Sequence, residues 1–326
     1  MGYKKATEDF ITMDLSEMRP KGFLKVVLER QINNIKAVNE KSGWKERVNC
    51  PICGKDDSSF QFMKNDFSLL QCNNCKTAFF DKIPVNTDDL YSAEHALSDA
   101  QKAYLVNKDY RKVRFASERI TLIESLLQKS VLNKNILDVG CGTGWFLEYA
   151  KEQGANCFGL ELGKELSKFT EERLNIPIWN CELPDLETDV RFDVITMFDL
   201  IEHVVEPLKL IESAKKLLND SGIILIFTPH FDSVAIQTMK DKSNLIMPAE
   251  HLSYFTKNTL NFIAEKTNMK VEYFATKGID IGDLKSFYEY EGQHQIAETM
   301  EKMYDVLQPT IDHAENGNHL RAVLSK

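Results

Sequence analysis

Long apolar runs are missing from this chain of 326 residues, although 43% of its residues are hydrophobic. No stretch of about 18 or more apolar residues occurs, so the sequence predicts no membrane-spanning helix. The first ten residues lack the apolar core of a signal peptide, and Ala6 stands where a myristoylation motif requires Ser or Thr. We therefore expect a globular protein of the cytoplasm.

Positive charge is also scarce relative to negative charge, and the formal net charge is −9. Broad nucleic-acid-binding surfaces depend on clustered Lys and Arg side chains that contact phosphates. The excess of acidic over basic residues disfavours such a surface without excluding a local basic patch. Internal repeats and low-complexity segments are absent as well. The length suits one full α/β domain with one or two small appendages.

A short apolar run that ends in three glycines at alternate positions is the most informative motif. Residues 135–139 predict a buried strand, and residues 145–153 predict the helix that follows. Glycine at 140, 142 and 144 lets the backbone turn sharply and lets a ligand approach without a Cβ in the way. The helix N-terminus offers unpaired N–H groups to polar ligand atoms. The spacing differs from the dinucleotide motif, and the Lys-Ser/Thr of a P-loop is lacking.

A second predicted strand ends in Glu161, about 20 residues beyond the glycines, where a carboxylate can accept both hydroxyls of a ribose. Together the two motifs resemble those of class I S-adenosylmethionine-dependent methyltransferases. The resemblance implies an α/β fold with a Rossmann-like, seven-stranded, mostly parallel sheet and helices on both faces. It also implies S-adenosylmethionine as cofactor, bound by Asp138, Gly140, Cys141, Gly142, Gly144, Glu161, Leu162, Glu182 and Asp199. Among these, Glu182 is expected to face the adenine amino group.

A fourth predicted strand, residues 192–198, runs directly into the turn Asp199-Leu-Ile-Glu202-His203-Val. Ligands of such sheets bind beyond the carboxyl ends of the strands, so this turn should lie over the cofactor. The sequence of this strand and turn resembles the corresponding motif of small-molecule methyltransferases typified by ubiquinone-biosynthesis O-methyltransferases. An Asn-Pro-Pro-Tyr or Asp-Pro-Pro-Tyr sequence is absent here. In many nucleic-acid and protein N-methyltransferases that sequence grips a planar amino group, so its absence counts against those substrates.

Three histidines at the predicted ligand side are candidate catalytic bases, namely His251, His230 and His203. Imidazole titrates near neutral pH and can accept a proton from a hydroxyl group. We rank His251 first and His230 second, because His203 belongs to the turn and is expected to fix its conformation. A histidine among these three that is not the base is expected to have a structural role as a hydrogen-bonding residue. A divalent metal held by Glu202, Glu250 and a histidine is a further alternative.

Four of the seven cysteines form two Cys-x-x-Cys pairs, Cys50 with Cys53 and Cys72 with Cys75, with 18 residues between the pairs. Without an export signal, reduced thiols or metal ligands are expected rather than disulfides. Four thiolates predict a structural Zn²⁺ site that is closed to water. Gly54 suits the positive φ that follows the first pair, and the residues between the pairs predict a hairpin. Redox dithiols and unrelated core cysteines are the alternatives.

The remaining segments complete the predicted organisation. An N-terminal helical segment (1–47) packs on the body or on a partner of a homodimer, and it precedes a zinc-ribbon-like domain (48–84). A helical connector (85–130) leads to the methyltransferase domain (131–326). In the connector, Tyr104, Tyr110, Lys112 and Arg114 line the mouth of the site or are ordinary surface. Residues 231–255 are expected to form a long loop, and about 280–315 a helical insertion that serves as a lid or dimer arm.

Two function classes follow from these motifs. The first is O-methylation of a small molecule such as a sugar, nucleotide-sugar or cell-surface polysaccharide precursor, because a zinc-bearing domain before a methyltransferase resembles sugar methyltransferases. Sugar C-methyltransferases carry a different, longer N-terminal domain, which disfavours carbon as the acceptor. The second is methylation of RNA gripped by the zinc module, which the mixed charges around the cysteines disfavour. A non-catalytic scaffold is the least favoured alternative, because the glycine loop is intact.

Overall fold

A computed structural model describes residues 14–15, 19, 21–87 and 108–326. Its helices are α1 (Phe23–Lys41), α2 (Ser117–Leu127), α3 (Trp145–Glu152), α4 (Lys164–Leu174), α5 (Pro207–Leu217), α6 (Val234–Met239), α7 (Lys257–Lys266), α8 (Asp280–Tyr290), α9 (His294–Lys302) and α10 (Tyr304–His313). A helical turn at Lys108–Arg111 and a π-helical stretch at Lys112–Ala116 lead into α2. Within these ranges, no helix combines the length and apolar character needed to span a bilayer.

The strands divide into three sheets. They are β1 (Trp44–Glu46), β2 (Ser58–Lys64), β3 (Phe67–Cys72), β4 (Ala78–Phe80), β5 (Lys82–Pro84), β6 (Asn135–Val139), β7 (Asn156–Leu160), β8 (Ile178–Trp179), β9 (Phe192–Phe198), β10 (Leu218–Pro229), β11 (Ser253–Tyr254), β12 (Lys270–Thr276) and β13 (His319–Ser325). β1 pairs with β5, and β11, β4, β3 and β2 form a four-stranded sheet. The remaining strands form the seven-stranded sheet.

The seven-stranded sheet has the order β12-β13-β10-β9-β6-β7-β8. Strands β10, β9, β6, β7 and β8 are parallel, and β13 is antiparallel to both β10 and β12. The central strands β9 and β10 are almost continuously buried, as expected for parallel strands covered on both faces. This architecture confirms the predicted Rossmann-like, mostly parallel sheet.

Helices cover both faces of that sheet. On one face, α2 and α3 pack over it through Ile120, Ile123 and Phe146. On the other face, α5 and α7 enclose a core that continues into the four-cysteine region through Cys72 and Phe79. The zinc-ribbon-like module therefore shares a hydrophobic core with the seven-stranded sheet.

The segment 231–255, expected to be a long loop, is partly regular. Ser233 caps the N-terminus of α6, because its side chain accepts a hydrogen bond from the Ile236 N–H (3.3 Å). At the other end of the segment, Ser253 and Tyr254 form β11 and pair with β4 of the cysteine-bearing module. The expectation of a loop over the whole segment was wrong, because long-range pairing stabilises a strand too short to show a periodic pattern. Helices α8, α9 and α10 lie between β12 and β13, at the position of the expected insertion.

Candidate active site

The glycine loop after β6 adopts a backbone that only glycine enters without strain. Gly140, Gly142 and Gly144 have φ values of +74°, +54° and +72°. A Cβ on Gly144 would lie 2.6 Å from Thr170 Cγ2, so this glycine allows α3 to pack closely against α4. A Cβ on Gly142 would meet nothing within 4 Å. The loop therefore presents an open inner surface at its middle glycine.

Glu161, at the end of β7, faces this loop as the spacing predicts. Its Oε2 atom accepts a hydrogen bond from the Gly142 N–H (3.1 Å), and its Oε1 atom accepts one from the Gly163 N–H (2.8 Å). Burial raises the pKa of the Glu161 carboxyl, although these hydrogen bonds oppose the effect. The side chain of Asn180 donates to the Glu161 and Leu162 carbonyl oxygens (2.7 Å each) and orders the adjoining turn. A carboxylate so placed fits the two hydroxyls of a ribose.

Glu182, the residue predicted to face an adenine, lies beyond β8, and Leu162, another predicted cofactor contact, follows β7. Glu182 is exposed and precedes a short 3₁₀ turn at Leu183–Asp185. Cys181 packs against the main hydrophobic core, and Leu162 is 56% exposed. The contact of Glu182 with adenine and that of Leu162 with the cofactor stay predictions.

Asp138 is buried on β6 just before the glycines. Only 4% of the residue is exposed, and the Thr196 hydroxyl donates a hydrogen bond to Asp138 Oδ1 (2.7 Å). Burial raises the pKa of Asp138 to about 7. A cation bound beside Asp138 would therefore stabilise its charged form.

A cavity of about 270 Å³ opens beside Asp138, Gly140 and Cys141. Aromatic rings form one wall, and basic side chains form much of the remainder. The aromatic residues are Trp145, Phe146, Phe198, Phe227 and Phe115, and the basic residues are Arg19, Arg119, Lys277, His319 and Arg321. Aromatic rings with cationic groups beside them suit a ligand with both apolar and anionic parts.

Arg119 of α2 is the cation closest to the aromatic wall. Its guanidinium carbon lies 3.7 Å from the centre of the Phe198 ring and 4.5 Å from that of Trp145. Burial lowers the pKa of Arg119 to about 10, which keeps the group charged at neutral pH. Its buried Nη1 atom has no hydrogen-bond partner among the described residues. A ligand carboxylate would satisfy this donor.

Asp199 and His319 form a hydrogen-bonded pair in the cavity wall, with His319 Nε2 2.6 Å from Asp199 Oδ1. Desolvation opposes ionisation of Asp199, but its interaction with His319 and the positive charge of Arg119 hold its pKa well below the usual range. An ionised carboxylate accepts, so Nε2 carries the proton and Nδ1 presents a lone pair. This geometry is that of a base with an orienting acid.

Sequence reasoning missed His319, although a signal for it exists. Strand β13 is antiparallel to β10, and His319 pairs with Pro229 at the end of that strand. The first residue of an antiparallel strand lies at the same edge as the last residues of its parallel neighbours. The edge that binds ligands therefore receives a side chain from the start of β13.

The three predicted base candidates are not among the residues that line this cavity. Each has Nδ1 directed at a backbone carbonyl oxygen: His203 at Glu250 (2.9 Å), His230 at Gly317 (3.2 Å) and His251 at Leu245 (2.8 Å). Burial lowers the pKa of all three imidazoles. Their catalytic role stays a prediction, and the cavity geometry favours His319 over them.

The alternative metal site from Glu202, Glu250 and a histidine is only partly assembled. The Glu250 carboxylate accepts a hydrogen bond from Asn34 (2.8 Å) and pairs with Arg30 (3.3 Å) on α1. Glu202, in contrast, lies beside two histidines, described below. Glu250 therefore fixes α1 to the domain.

The connector residues chosen from the sequence lie outside the cavity wall where they are described. Lys112 pairs with Glu148 (3.5 Å) on α3, and Arg114 pairs with Glu118 (2.5 Å) on α2. The Tyr110 hydroxyl accepts a hydrogen bond from the Asp14 N–H (3.2 Å). Tyr104 falls outside the described residues.

The four paired cysteines converge. Cys50 Sγ lies 3.4 Å from Cys75 Sγ, Cys53 Sγ lies 3.4 Å from Cys72 Sγ, and all four sulfurs lie within 4.8 Å of one another. Gly54 has φ of +73°, as the sequence predicts, and Lys76 after the second pair has φ of +63°. A tetrahedral ion with bonds of about 2.3 Å needs sulfurs about 3.8 Å apart. The donor set and its spacing fit zinc.

Comparison with known proteins agrees with this geometry. A family described as "Methyltransferase domain" matches residues 110–273, just over half of the chain. A ubiquinone biosynthesis O-methyltransferase of Actinobacillus pleuropneumoniae serotype 7 (strain AP76) is 33% identical over 144 residues, which are 40% of this chain and 59% of the relative. The same-named protein of serotype 5b (strain L20) is 31% identical over 176 residues, which are 50% and 70% of the two chains.

The chain thus spans about three fifths of the length of the first of these curated relatives. A solved structure of the plantazolicin methyltransferase BpumL in complex with SAH is similar over 74% of this chain and 93% of that chain, with 19% identity and a TM-score of 0.49. The family match covers the glycine loop, Glu161 and the turn after β9. The chain belongs to the methyltransferase domain family.

Proposed function

We propose that the protein transfers a methyl group from S-adenosylmethionine to an oxygen atom of a small molecule. We further propose that this molecule is a sugar, a nucleotide-sugar or a cell-surface polysaccharide precursor. The observation that carries the proposal is the open glycine loop faced by Glu161, beside a cavity that holds the Asp199–His319 pair. The glycine loop with Glu161 and Asp138, here called the cofactor cradle, and the candidate base His319 therefore lie at the same edge of the sheet.

The residues of the cradle fit the polar parts of the cofactor. Glu161 would hold the ribose hydroxyls, and Asp138 would face the ammonium group of the methionine part. The unpartnered Nη1 of Arg119 would bind the methionine carboxylate. Bound S-adenosylmethionine supplies a methyl carbon on a sulfonium sulfur.

His319 is the proposed general base. Its Nδ1 lone pair would take the proton of an acceptor hydroxyl, while Asp199 stabilises the imidazolium through the Nε2 hydrogen bond. Positioning supplies the rest of the rate enhancement, because in-line displacement requires the oxygen about 3 Å from the methyl carbon. The aromatic wall of Phe198 and Trp145 limits the orientations of a bound acceptor.

Two features support a small acceptor. The cavity of about 270 Å³ lies just below the range of small-molecule sites, which begins at about 300 Å³. The curated relatives described above are named as O-methyltransferases. The net charge of −9 gives no support to RNA as the acceptor. The carbohydrate assignment rests on the resemblance of the domain order to sugar methyltransferases.

We propose that Cys50, Cys53, Cys72 and Cys75 hold one structural Zn²⁺. Four thiolates fill a tetrahedral ion, so such a site offers no position for substrate. Metal analysis of the purified protein should give about one zinc bound by thiolates per chain. A protein that stays folded without zinc would contradict this assignment.

Isothermal titration calorimetry with S-adenosylmethionine tests the cofactor assignment. We expect binding to the wild type and none to Gly142→Arg, which fills the open side of the loop. Unchanged binding by that variant would refute the assignment of the glycine loop as the binding site of the cofactor. With methyl-labelled cofactor, transfer to sugar nucleotides but not to RNA is the expected outcome, and label in RNA alone would overturn the small-molecule assignment.

A further inference from the structure

A second group of potential metal ligands, distinct from the four cysteines, combines two residues of the turn after β9 with His251. One ligand atom from each of Glu202, His203 and His251 lies within 4.8 Å of the other two. Glu202 is 0% exposed and His251 is 5% exposed. The two imidazole rings meet edge to face, with centres 4.8 Å apart. Three side chains with metal-binding chemistry therefore converge inside the protein.

Backbone carbonyl groups orient both imidazoles. His203 Nδ1 lies 2.9 Å from the Glu250 carbonyl oxygen, and His251 Nδ1 lies 2.8 Å from that of Leu245. A carbonyl oxygen only accepts, so each Nδ1 carries a proton and each neutral ring presents its lone pair at Nε2. Histidines that ligate metals are commonly held in this way, with the second ring nitrogen donating to a carbonyl or carboxylate.

Glu202 supplies the independent sign of a missing ligand. Its Oε2 atom accepts a hydrogen bond from the Thr228 hydroxyl (2.8 Å). Its Oε1 atom is buried without a hydrogen-bond partner anywhere in the described ranges. An unsatisfied buried polar atom costs about 1–3 kcal/mol, and more when the group is charged. A cation at this point would offset that cost.

We propose that Glu202, His203 and His251 form a second metal site, which binds a divalent, zinc-like cation through one carboxylate oxygen and two imidazole nitrogens. Two histidines with a glutamate are a known donor set for Zn²⁺ with an open fourth position, and imidazole suits zinc, copper, iron and nickel. Bonds of about 2.0–2.1 Å need ligand atoms about 3.4 Å apart, so side-chain movements on the order of 1 Å complete the site. The proposal concerns metal binding and does not depend on methyl transfer.

The position of this site gives it a structural consequence. The turn that carries Glu202 begins at Asp199, and the segment that carries His251 includes Leu245; both Asp199 and Leu245 line the cavity. A bound ion would join these two segments directly behind the cavity wall. It would therefore position Asp199 and Leu245 without occupying the space of the acceptor.

Cobalt provides a probe that separates this site from the four cysteines. The full chain, with its cysteine site loaded with zinc, is titrated with Co²⁺ and followed by visible absorption. We expect one equivalent of Co²⁺ with d–d bands and no thiolate charge-transfer band, displaced by added Zn²⁺. Glu202→Gln and His251→Gln should each weaken Co²⁺ binding by at least about 10–100-fold. His230→Gln, which removes another buried imidazole outside the cluster, is the matched control and should bind as the wild type does.

A folded wild type that shows no thiolate-free cobalt spectrum overturns the proposal. A spectrum with only a thiolate charge-transfer band also overturns the proposal, because the Co²⁺ ion has then entered the cysteine site. Equal affinities in the wild type and both variants also overturn it. If a variant loses its circular-dichroism signature of folding, X-ray absorption of cobalt in the wild type decides: nitrogen and oxygen neighbours support the site, and sulfur neighbours refute it.

Discussion

Thr259 Oγ1 donates a hydrogen bond to the carbonyl oxygen of Cys75 (3.1 Å), which joins the first turn of α7 to the second cysteine pair. The same hydroxyl accepts hydrogen bonds from Thr77 Oγ1 and from the Thr256 N–H (3.3 Å each). Thr77, Thr256 and Thr259 are all fully buried. Together with the pairing of β11 and β4, this network means that the methyltransferase domain positions one half of the cysteine site.

Replacement of Thr259 by Val should weaken this junction. Valine keeps the shape of threonine but removes the donor to the buried Cys75 carbonyl oxygen and the acceptor of the buried Thr256 N–H. We therefore expect a loss of about 1–3 kcal/mol in the free energy of unfolding. Urea denaturation measures the loss. Thr299→Val, which removes an exposed hydroxyl that donates to the Gln295 carbonyl oxygen of its own helix, should change stability by less than about 0.5 kcal/mol. Equal losses in the two variants would show that the hydrogen bonds of Thr259 do not contribute measurably to the free energy of unfolding.

The glycine loop offers a comparison between two positions. Gly142→Ala places a methyl group in open space at φ +54°, and Gly144→Ala places one 2.6 Å from Thr170 Cγ2 at φ +72°. Left-handed backbone costs about 1–2 kcal/mol in both variants, and crowding adds about 1–3 kcal/mol in the second. We expect the lower thermal midpoint for Gly144→Ala. The reverse order would mean that α3 and α4 do not pack as described.

Glu161→Gln tests the ribose contact. The amide keeps the size of the side chain but replaces hydrogen bonds to a charged group, which contribute about 1.5–3 kcal/mol each, by neutral ones, which contribute about 0.5–1.5 kcal/mol each. We expect a roughly 10–100-fold weaker affinity for S-adenosylmethionine by calorimetry. Glu165→Gln, an exposed position in the first turn of α4, is the matched control. A cofactor affinity that is the same in both variants would remove Glu161 from the site.

His319→Gln tests the proposed base. General base catalysis contributes about 10²–10⁴-fold, so kcat on a found acceptor should fall by that factor while cofactor affinity changes little. His294→Gln, at an exposed histidine at the start of α9, is the control. Loss of activity in His230→Gln or His251→Gln with normal activity in His319→Gln would return the role to the histidines chosen from the sequence.

Glu118 makes stability depend on acidic pH. Burial alone would raise its pKa, but Arg321 and Lys277 outweigh burial and lower it to about 2 from 4.5. A carboxyl with a lowered pKa in the folded state stabilises the protein above its unfolded pKa, and this contribution is lost as pH falls through the folded pKa. We expect the wild type to lose up to about 3 kcal/mol between about pH 4.5 and pH 2 from this group. Urea unfolding should show a smaller loss over this range in Glu118→Gln, and parallel curves would contradict the assignment.

Local motifs made much of the cofactor side predictable. The glycines and Glu161 lie within 22 residues of one another, and a strand–turn–helix unit has a clear apolar pattern. The mostly parallel seven-stranded sheet was predicted because those motifs resemble the motifs of class I S-adenosylmethionine-dependent methyltransferases. Gly54 could likewise be assigned its positive φ, because the turn after a Cys-x-x-Cys pair leaves few alternatives.

The acceptor side depends on contacts that no local pattern encodes. His319 reaches Asp199 through antiparallel pairing of β13, across 120 positions of sequence. Burial of His203, His230 and His251 is a property of the packed chain, so the sequence could not rank these histidines against His319. The pairing of β11 with β4 involves only two residues of β11 and gives no periodic signal.

The place of β13 in the sheet also sets an order of assembly. The glycine loop and Glu161 come from adjacent strands close in sequence, and such contacts form with little loss of chain entropy. The Asp199–His319 contact closes a loop of 120 positions and requires β13 to insert between β10 and β12. On loop length alone, we therefore expect the contact between the glycine loop and Glu161 to form before the contact between Asp199 and His319.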